Sequence, residues 1–302
     1  MSTTLGQALE AAAARLAPRS EHARTDAEEL LGRLLGLGRS RLYLDRERAL
    51  SDDEASTLER WVSRRVAGEP IQYITGRAAF RELDLAVTPA VLIPRPETEI
   101  LVEAVLGTLR RERGRWPRPR VLDLGTGSGA IALAIASENP DARVTATDLS
   151  GAALERARVN AESLGLAPRV RFEHGDWFDA VVPDERFEAV VANPPYIAES
   201  ERGVLPSDVR DHEPALALYA GESGLEALRT IVDEAPLHLV AEGLLALELA
   251  DTRALTVRDW LEGSRDWREV ALRNDLAGKP RVLCARREAG PAIAPAQWPE
   301  DP

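Results

Sequence analysis

Residues 190–199 read VVANPPYIAE: a short apolar run, then an asparagine, two prolines and a tyrosine where a buried strand should be ending. An NH2 group conjugated to a carbonyl or an aromatic ring is a poor nucleophile because its lone pair is delocalised. Two acceptors on its hydrogens aim that lone pair and stabilise the positive charge that develops during attack. Asn193 offers its side-chain oxygen, and the carbonyl of Pro194, stiffened by Pro194 and Pro195, offers a second acceptor. Tyr196 can lie against a planar group and exclude water. The same four residues also suit a plain turn, with the asparagine opening it and the prolines ending the strand.

A second constellation lies upstream. VLDLGTGSGAIALAIA, residues 121–136, reads as strand, glycine turn and helix. Gly125 permits the turn, Gly127 lets a ligand approach bare backbone, and Gly129 lets the helix pack closely, with Thr126 and Ser128 between them on the same cofactor loop. With Ala130 the loop also satisfies the dinucleotide fingerprint, and Asp148, at the end of RVTATD, stands where either cofactor class needs a carboxylate for ribose hydroxyls. Two residues tip the choice. Asp123 adds a carboxylate just before the glycines, which suits a cofactor carrying a sulfonium and an ammonium better than one bringing a pyrophosphate. HGDWFD then offers Asp176 to an adenine amino group and Trp177 as a stacking face, unless Trp177 is simply a core residue. S-adenosylmethionine fits that set.

These residues need strand ends to carry them. From residue 120 onward, strand-length apolar runs (120–125, 143–148, 170–176, 187–195, 244–250, 267–275 and 281–287) alternate with helical stretches (129–138, 151–165, 224–240 and 253–263). Such alternation predicts an α/β doubly wound, mostly parallel seven-stranded sheet covered on both faces. The corner after the fourth strand then meets the glycine loop at the carboxyl edge. Only DLAGKP separates the last two strands, too short for a crossover, so that pair should be antiparallel. Ahead of this, residues 1–70 read as a small helical bundle broken at 36–40 and 67–70, and residues 71–92 as a connecting β-hairpin around Gly76 and the RELD turn. IPRPETE stiffens the entry to a helix starting near Glu97, and its acidic first turn is favourable there without any function. Residues 289–302 read as a loose Pro-rich tail.

Composition narrows the partners. The 302-residue chain carries a net charge of -12, and residues 91–302 hold 36 acidic against 25 basic residues. A phosphate-neutralising surface would have the opposite sign, so no nucleic-acid partner is expected, whereas a basic protein loop would be steered in. One cysteine, Cys284, excludes an internal disulfide, and four scattered histidines lack metal-ligand spacing, so no metal is expected. No apolar stretch approaches membrane-span length and no export signal is visible, which makes a cytoplasmic monomer the expectation.

DLGTGSGAIALA, ATD, GDWF and NPPYI, together with GEPIQYITG, LIPRPETEILVE and HEPALALYAGESGLEALR, resemble the release-factor glutamine methyltransferases, the HemK or PrmC family. IPRPETE combined with NPPY discriminates best, since the glycine loop is common to most methyltransferases of this class and NPPY occurs in enzymes that methylate nucleic-acid amines. One departure is that Glu248 is not followed by the glycine and glutamine usual in the family. The resemblance implies methyl transfer from S-adenosylmethionine to the glutamine amide in the Gly-Gly-Gln loop of bacterial class 1 release factors, with residues 1–70 docking the factor and 93–288 forming the methyltransferase domain. From the residues alone, a nucleic-acid amine methyltransferase, a dinucleotide oxidoreductase or a non-catalytic binding module remain as alternatives.

Overall fold

A computed structural model describes residues 3–289, so the expected tail lies almost wholly outside the described residues. The chain divides into two compact units, one of residues 1–77 with 205–212 and one of 78–204 with 213–302.

In the first unit, α1 (Leu5–Leu16), α2 (Ala23–Leu35), α3 (Arg39–Leu44), α4 (Asp52–Val66) and α5 (Ile71–Thr75) follow one another. Capping boxes start two of them: Thr4 with Gln7 on α1 and Ser51 with Glu54 on α4, each side chain satisfying the other's backbone N–H. Leu5, Leu9, Leu16, Leu30, Leu31 and Val62 form one buried core. Two short helices were not foreseen. The GLGRS break is followed at once by α3, and the stretch before Gly76, read as part of the hairpin, coils into α5.

The second unit opens with a tight hairpin, β1 (Arg77–Phe80) and β2 (Leu83–Ala86), and then α6 (Thr98–Arg111). The alternating part follows as β3 (Arg120–Leu124), α7 (Ala130–Glu138), β4 (Arg143–Asp148), α8 (Gly151–Ser163), β5 (Val170–His174) and β6 (Phe187–Ala192). After α9 (Ser207–His212), a short helix that groups with the first unit, come α10 (Glu226–His238), β7 (Leu239–Glu248), α11 (Asp251–Gly263), β8 (Trp267–Asn274) and β9 (Pro280–Arg287). The seven strands order as β5-β4-β3-β6-β7-β9-β8. Pairing is parallel from β5 through β7 and antiparallel on both sides of β9, as the short link between the last two strands requires.

Successive strand residues point to opposite faces, and the two cores show it. Val121, Val144, Ala189, Val191 and Ala246 pack with α6 and α7 on one face, while Leu122, Leu124, Val190, Leu245 and Leu247 pack with α10 and α11 on the other. α7 is buried on every side, which its alanines permit. β7 begins five residues earlier than its apolar run suggests. Leu239 and Val240, read as the end of a helix, instead open the strand, and its pairing with β6 shifts register between Phe187 and Ala189. Among the described residues no helix is long and apolar enough to cross a membrane.

Candidate active site

β3 lies between β4 and β6, so chain order reverses there and a crevice opens beyond the strands' carboxyl ends. A cavity of about 380 Å³ occupies it. Gly125 and Gly127 of the loop after β3, Asp148 at the end of β4, Asp176 and Trp177 after β5, and Asn193 and Pro195 after β6 all line this cavity. Parallel packing of four strands therefore brings together residues up to seventy positions apart in the chain.

The loop is held by its own acids. Asp148 accepts hydrogen bonds from the backbone N–H of Gly127 and of Ser150, both at 2.8 Å, so one carboxylate spans the glycine turn and the start of α8. Burial raises its pKa, against the pull of those two N–H groups. Gly125, Gly127 and Gly129 all adopt positive φ, which costs glycine little. A Cβ at Gly127 would meet nothing within 4 Å, so the backbone there faces open cavity. Asn160, buried on α8, donates to the Ser128 carbonyl at 2.8 Å and bonds both backbone groups of Ala86, tying the hairpin to the far side of the loop.

Other expected residues stand behind the wall. Asp123 is fully buried and does not line the cavity. Its Oδ2 accepts from the Thr126 hydroxyl at 2.6 Å and from the Ala132 N–H at 3.2 Å, while Oδ1 has no hydrogen-bond partner among the described residues. Burial pushes its pKa up to about 7. Thr126 and Ser128 are buried, and Gly129 caps α7 against Leu133 and Ala157. Pro194 is also buried off the wall, so only Asn193 of the two expected acceptors presents itself to the cavity. Tyr196 packs its ring on the β6–α10 core, and burial raises its hydroxyl to about 12, which keeps it a neutral phenol.

Trp177 serves both surfaces. It is half-buried against that same core, yet it also lines the cavity, and its ring lies 3.6 Å from where a Cβ on Gly125 would stand. Its φ is +40°, a conformation that costs a bulky residue on the order of 1–3 kcal/mol and clusters at ligand sites.

Several site residues were missed. The segment after α9 roofs the cavity with Pro214, Leu216, Ala217 and Tyr219 and pairs with the chain beyond the corner, Ile197 N–H to Leu218 at 3.1 Å and Ala220 N–H to Ile197 at 3.0 Å. Arg95 of IPRPETE forms an ion pair with the buried Glu213, joining the entry of α6 to that roof. Thr98, the first residue of α6, accepts a hydrogen bond from Asn193 Nδ2 at 3.2 Å. Two signals were readable. Glu248 is the lone acid of the apolar run 244–250, and Asn160 a lone amide on an alanine-rich helix face, both patterns of a buried polar group that must have a partner.

For the cofactor class inferred from the sequence, the residues fit. Bare backbone at Gly127, a wall carboxylate at Asp148 and an aromatic face at Trp177 converge on one cavity of suitable size for a nucleoside-bearing ligand.

The comparisons agree. Residues 7–76 match the family described as PrmC N-terminal domain, and residues 98–206 match methyltransferase small domain. A release factor glutamine methyltransferase of Moorella thermoacetica is 45% identical over 94% of this chain and 99% of its own length. Those of Koribacter versatilis and Pseudomonas aeruginosa are 40% and 43% identical over 94% and 88% of this chain, and 99% and 93% of their own. Among solved structures, a methyltransferase from Pyrococcus furiosus aligns with a TM-score of 0.51 at 21% identity, covering 75% of this chain and 98% of that one. The hMettl16 catalytic domain in complex with MAT2A 3'UTR hairpin 1 aligns at 0.55 and 18%, covering 85% and 88%. Those two likenesses show the fold alone, a methyltransferase sheet. With full-length relatives at this identity, a matching methyltransferase family model and a cavity at the sheet's switch point, the chain is an enzyme that belongs to the release factor glutamine methyltransferase family.

Proposed function

We propose that this enzyme transfers a methyl group from S-adenosylmethionine to the side-chain amide nitrogen of the glutamine in the Gly-Gly-Gln loop of class 1 peptide-chain release factors, in the cytoplasm. The observation that carries the reading is the shared wall of one cavity. Gly125, Gly127, Asp148 and Trp177 face it from the cofactor side, and Asn193 and Pro195 face it from the corner after β6.

When bound, the cofactor supplies an electrophilic methyl carbon on a sulfonium. The chain's own residues do the rest. Asp148 holds ribose hydroxyls, Asp176 the adenine amino group and Trp177 the ring face, while Asp123 braces the loop from behind through Thr126 and Ala132. Asn193 Oδ1 accepts one hydrogen of the substrate NH2 and so turns the nitrogen lone pair toward the cofactor side, while Pro194, buried off the wall, stiffens the corner that carries it. Tyr196 stays neutral and backs the corner. No strong base is required before attack, because the nitrogen becomes more acidic on gaining the methyl and its proton leaves afterwards. Positioning of this kind can supply several kcal/mol of the barrier. The acidic surface favours a basic protein loop over nucleic acid.

The test is labelled methyl transfer from S-adenosylmethionine to purified release factor, with and without the loop glutamine. Label that survives nuclease, is destroyed by protease and disappears with the glutamine supports the reading. Label on RNA or DNA refutes it.

A further inference from the structure

A stiff corner keeps its shape, but shape alone does not seat Asn193 at the right place on the cavity wall. We propose that Gly224 is a positioning residue that seats the Asn-Pro-Pro-Tyr corner, by letting the turn before α10 lie directly against the Tyr196 backbone. This rests on the reading of Asn193 as the substrate's acceptor.

The contact is backbone on backbone. A Cβ at Gly224 would stand 2.5 Å from the Tyr196 carbonyl oxygen and 2.9 Å from the Ala198 nitrogen, so no other residue type fits there without a shift. At Gly221 the near atoms belong instead to the Glu226 side chain, whose far end can swing aside. The Tyr196 carbonyl and the Ala198 N–H have no such freedom. Three hydrogen bonds hold the two segments in register along the same seam: Ile197 N–H donates to the Leu218 carbonyl at 3.1 Å, Ala220 N–H to the Ile197 carbonyl at 3.0 Å, and Glu199 N–H to the Gly221 carbonyl at 3.0 Å. Gly224 itself is buried, donates its N–H to the Ala220 carbonyl at 3.1 Å, and sits at φ +73°, which glycine adopts without steric cost.

Which side yields to a larger residue depends on what lies behind each. Behind Gly224, Leu228 and Ile231 of α10 are fully buried in the core. Beyond the corner lies the cavity, with Asn193 and Pro195 on its wall. A side chain at position 224 therefore displaces Tyr196 and the corner rather than the helix. Pro194 and Pro195, each with φ fixed, leave little freedom to absorb that displacement before it reaches Asn193, three residues upstream of Tyr196. A misplacement on the order of 1 Å is enough to cost about 100-fold in rate. Gly125, Gly127 and Asp148, on the cofactor side, follow from β3 and β4 and take no part in the seam.

The measurement is kcat and KM for methyl transfer to release factor, with S-adenosylmethionine affinity read by calorimetry, on full-length variants whose folding is checked by circular dichroism. Gly224→Ala should lower kcat on the order of 10- to 100-fold while cofactor affinity falls far less. Asparagine tolerates a left-handed backbone better than alanine does but keeps the Cβ, so Gly224→Asn should lose kcat as well. Gly278→Ala carries the backbone strain alone, at φ +79° in the exposed turn between β8 and β9 with nothing within 4 Å of the new methyl, and should keep wild-type turnover. Wild-type kcat in Gly224→Ala, or recovery of kcat in Gly224→Asn, overturns the proposal, because the close approach would then not be what seats the corner.

A second readout needs neither a variant nor a substrate, and decides the matter if the Gly224 variants do not fold. In hydrogen exchange of the wild type, the amides of Ile197, Glu199 and Ala220 should be protected together as one unit. Exchange of these three at the rate of exposed loop amides would leave the seam too weak to hold the corner and overturns the proposal. A protected seam in an enzyme that leaves release factors unmethylated supports the positioning role and refutes only the substrate assignment.

Discussion

Gly127 and Gly129 are two residues apart in one loop, and the structure assigns them different tasks that a pair of alanine substitutions separates. Both sit at positive φ, +57° and +84°, so alanine at either carries the left-handed penalty of about 1–2 kcal/mol. At Gly127 that is the whole cost to folding, because the new methyl meets nothing within 4 Å. At Gly129 the methyl would stand 3.0 Å from Leu133 Cδ1 and 3.2 Å from Ala157 Cβ, both fully buried, which adds about 1–3 kcal/mol of overpacking. Gly129→Ala should therefore be destabilised by about 2–5 kcal/mol, against about 1–2 for Gly127→Ala. Ligand binding should order them the other way. The Gly127 methyl projects into the cavity, and a ligand resting on that backbone has to shift, which at about 1–3 kcal/mol weakens binding by roughly 5- to 150-fold. Urea titration of each full-length variant followed by circular dichroism reads the first quantity, and calorimetry with S-adenosylmethionine the second. Wild-type affinity in folded Gly127→Ala would show that no ligand approaches the loop there, and would remove the backbone cradle from the argument.

Three further outcomes are expected. Trp177→Ala should weaken S-adenosylmethionine binding by about 1–3 kcal/mol in calorimetry, the usual worth of a stacking face; unchanged affinity would make the residue purely a packing group. Asn193→Ala should lower kcat by about 10²- to 10³-fold while cofactor affinity falls far less, and wild-type turnover would refute the acceptor role. Asp123 has a folded pKa of about 7 against an ordinary 3.8, so its contribution to stability is fully present below about pH 4 and is lost as pH rises toward 7. Asp123→Asn can keep the bonds from Thr126 and Ala132 on one oxygen, and should flatten the fall in unfolding free energy across that window by up to about 4 kcal/mol. A slope identical to wild type in urea titrations at pH 4, 5.5 and 7 would place the carboxyl at an ordinary pKa.

What the sequence by itself determined is what local spacing encodes. The glycine turn with Asp148 about twenty residues on, the Asn-Pro-Pro-Tyr corner, the alternation of strands and helices and the antiparallel last pair were all legible, because each depends on backbone preferences or periodicity within a short window. Short helices such as α3 and α5 were not, since a few turns of helix gain their stability from the core they join rather than from their own residues. Which side chains reach the cavity was decided only by tertiary structure. Asp123 and Trp177 are both motif residues, yet one is sealed behind the loop and the other is bent onto the wall by a left-handed backbone, a distinction no spacing carries. The bond between Asn193 and Thr98 likewise exists because α6 starts beside the end of β6. Two polar groups ninety-five positions apart that look incidental in the chain become one hydrogen-bonded pair at the edge of the core.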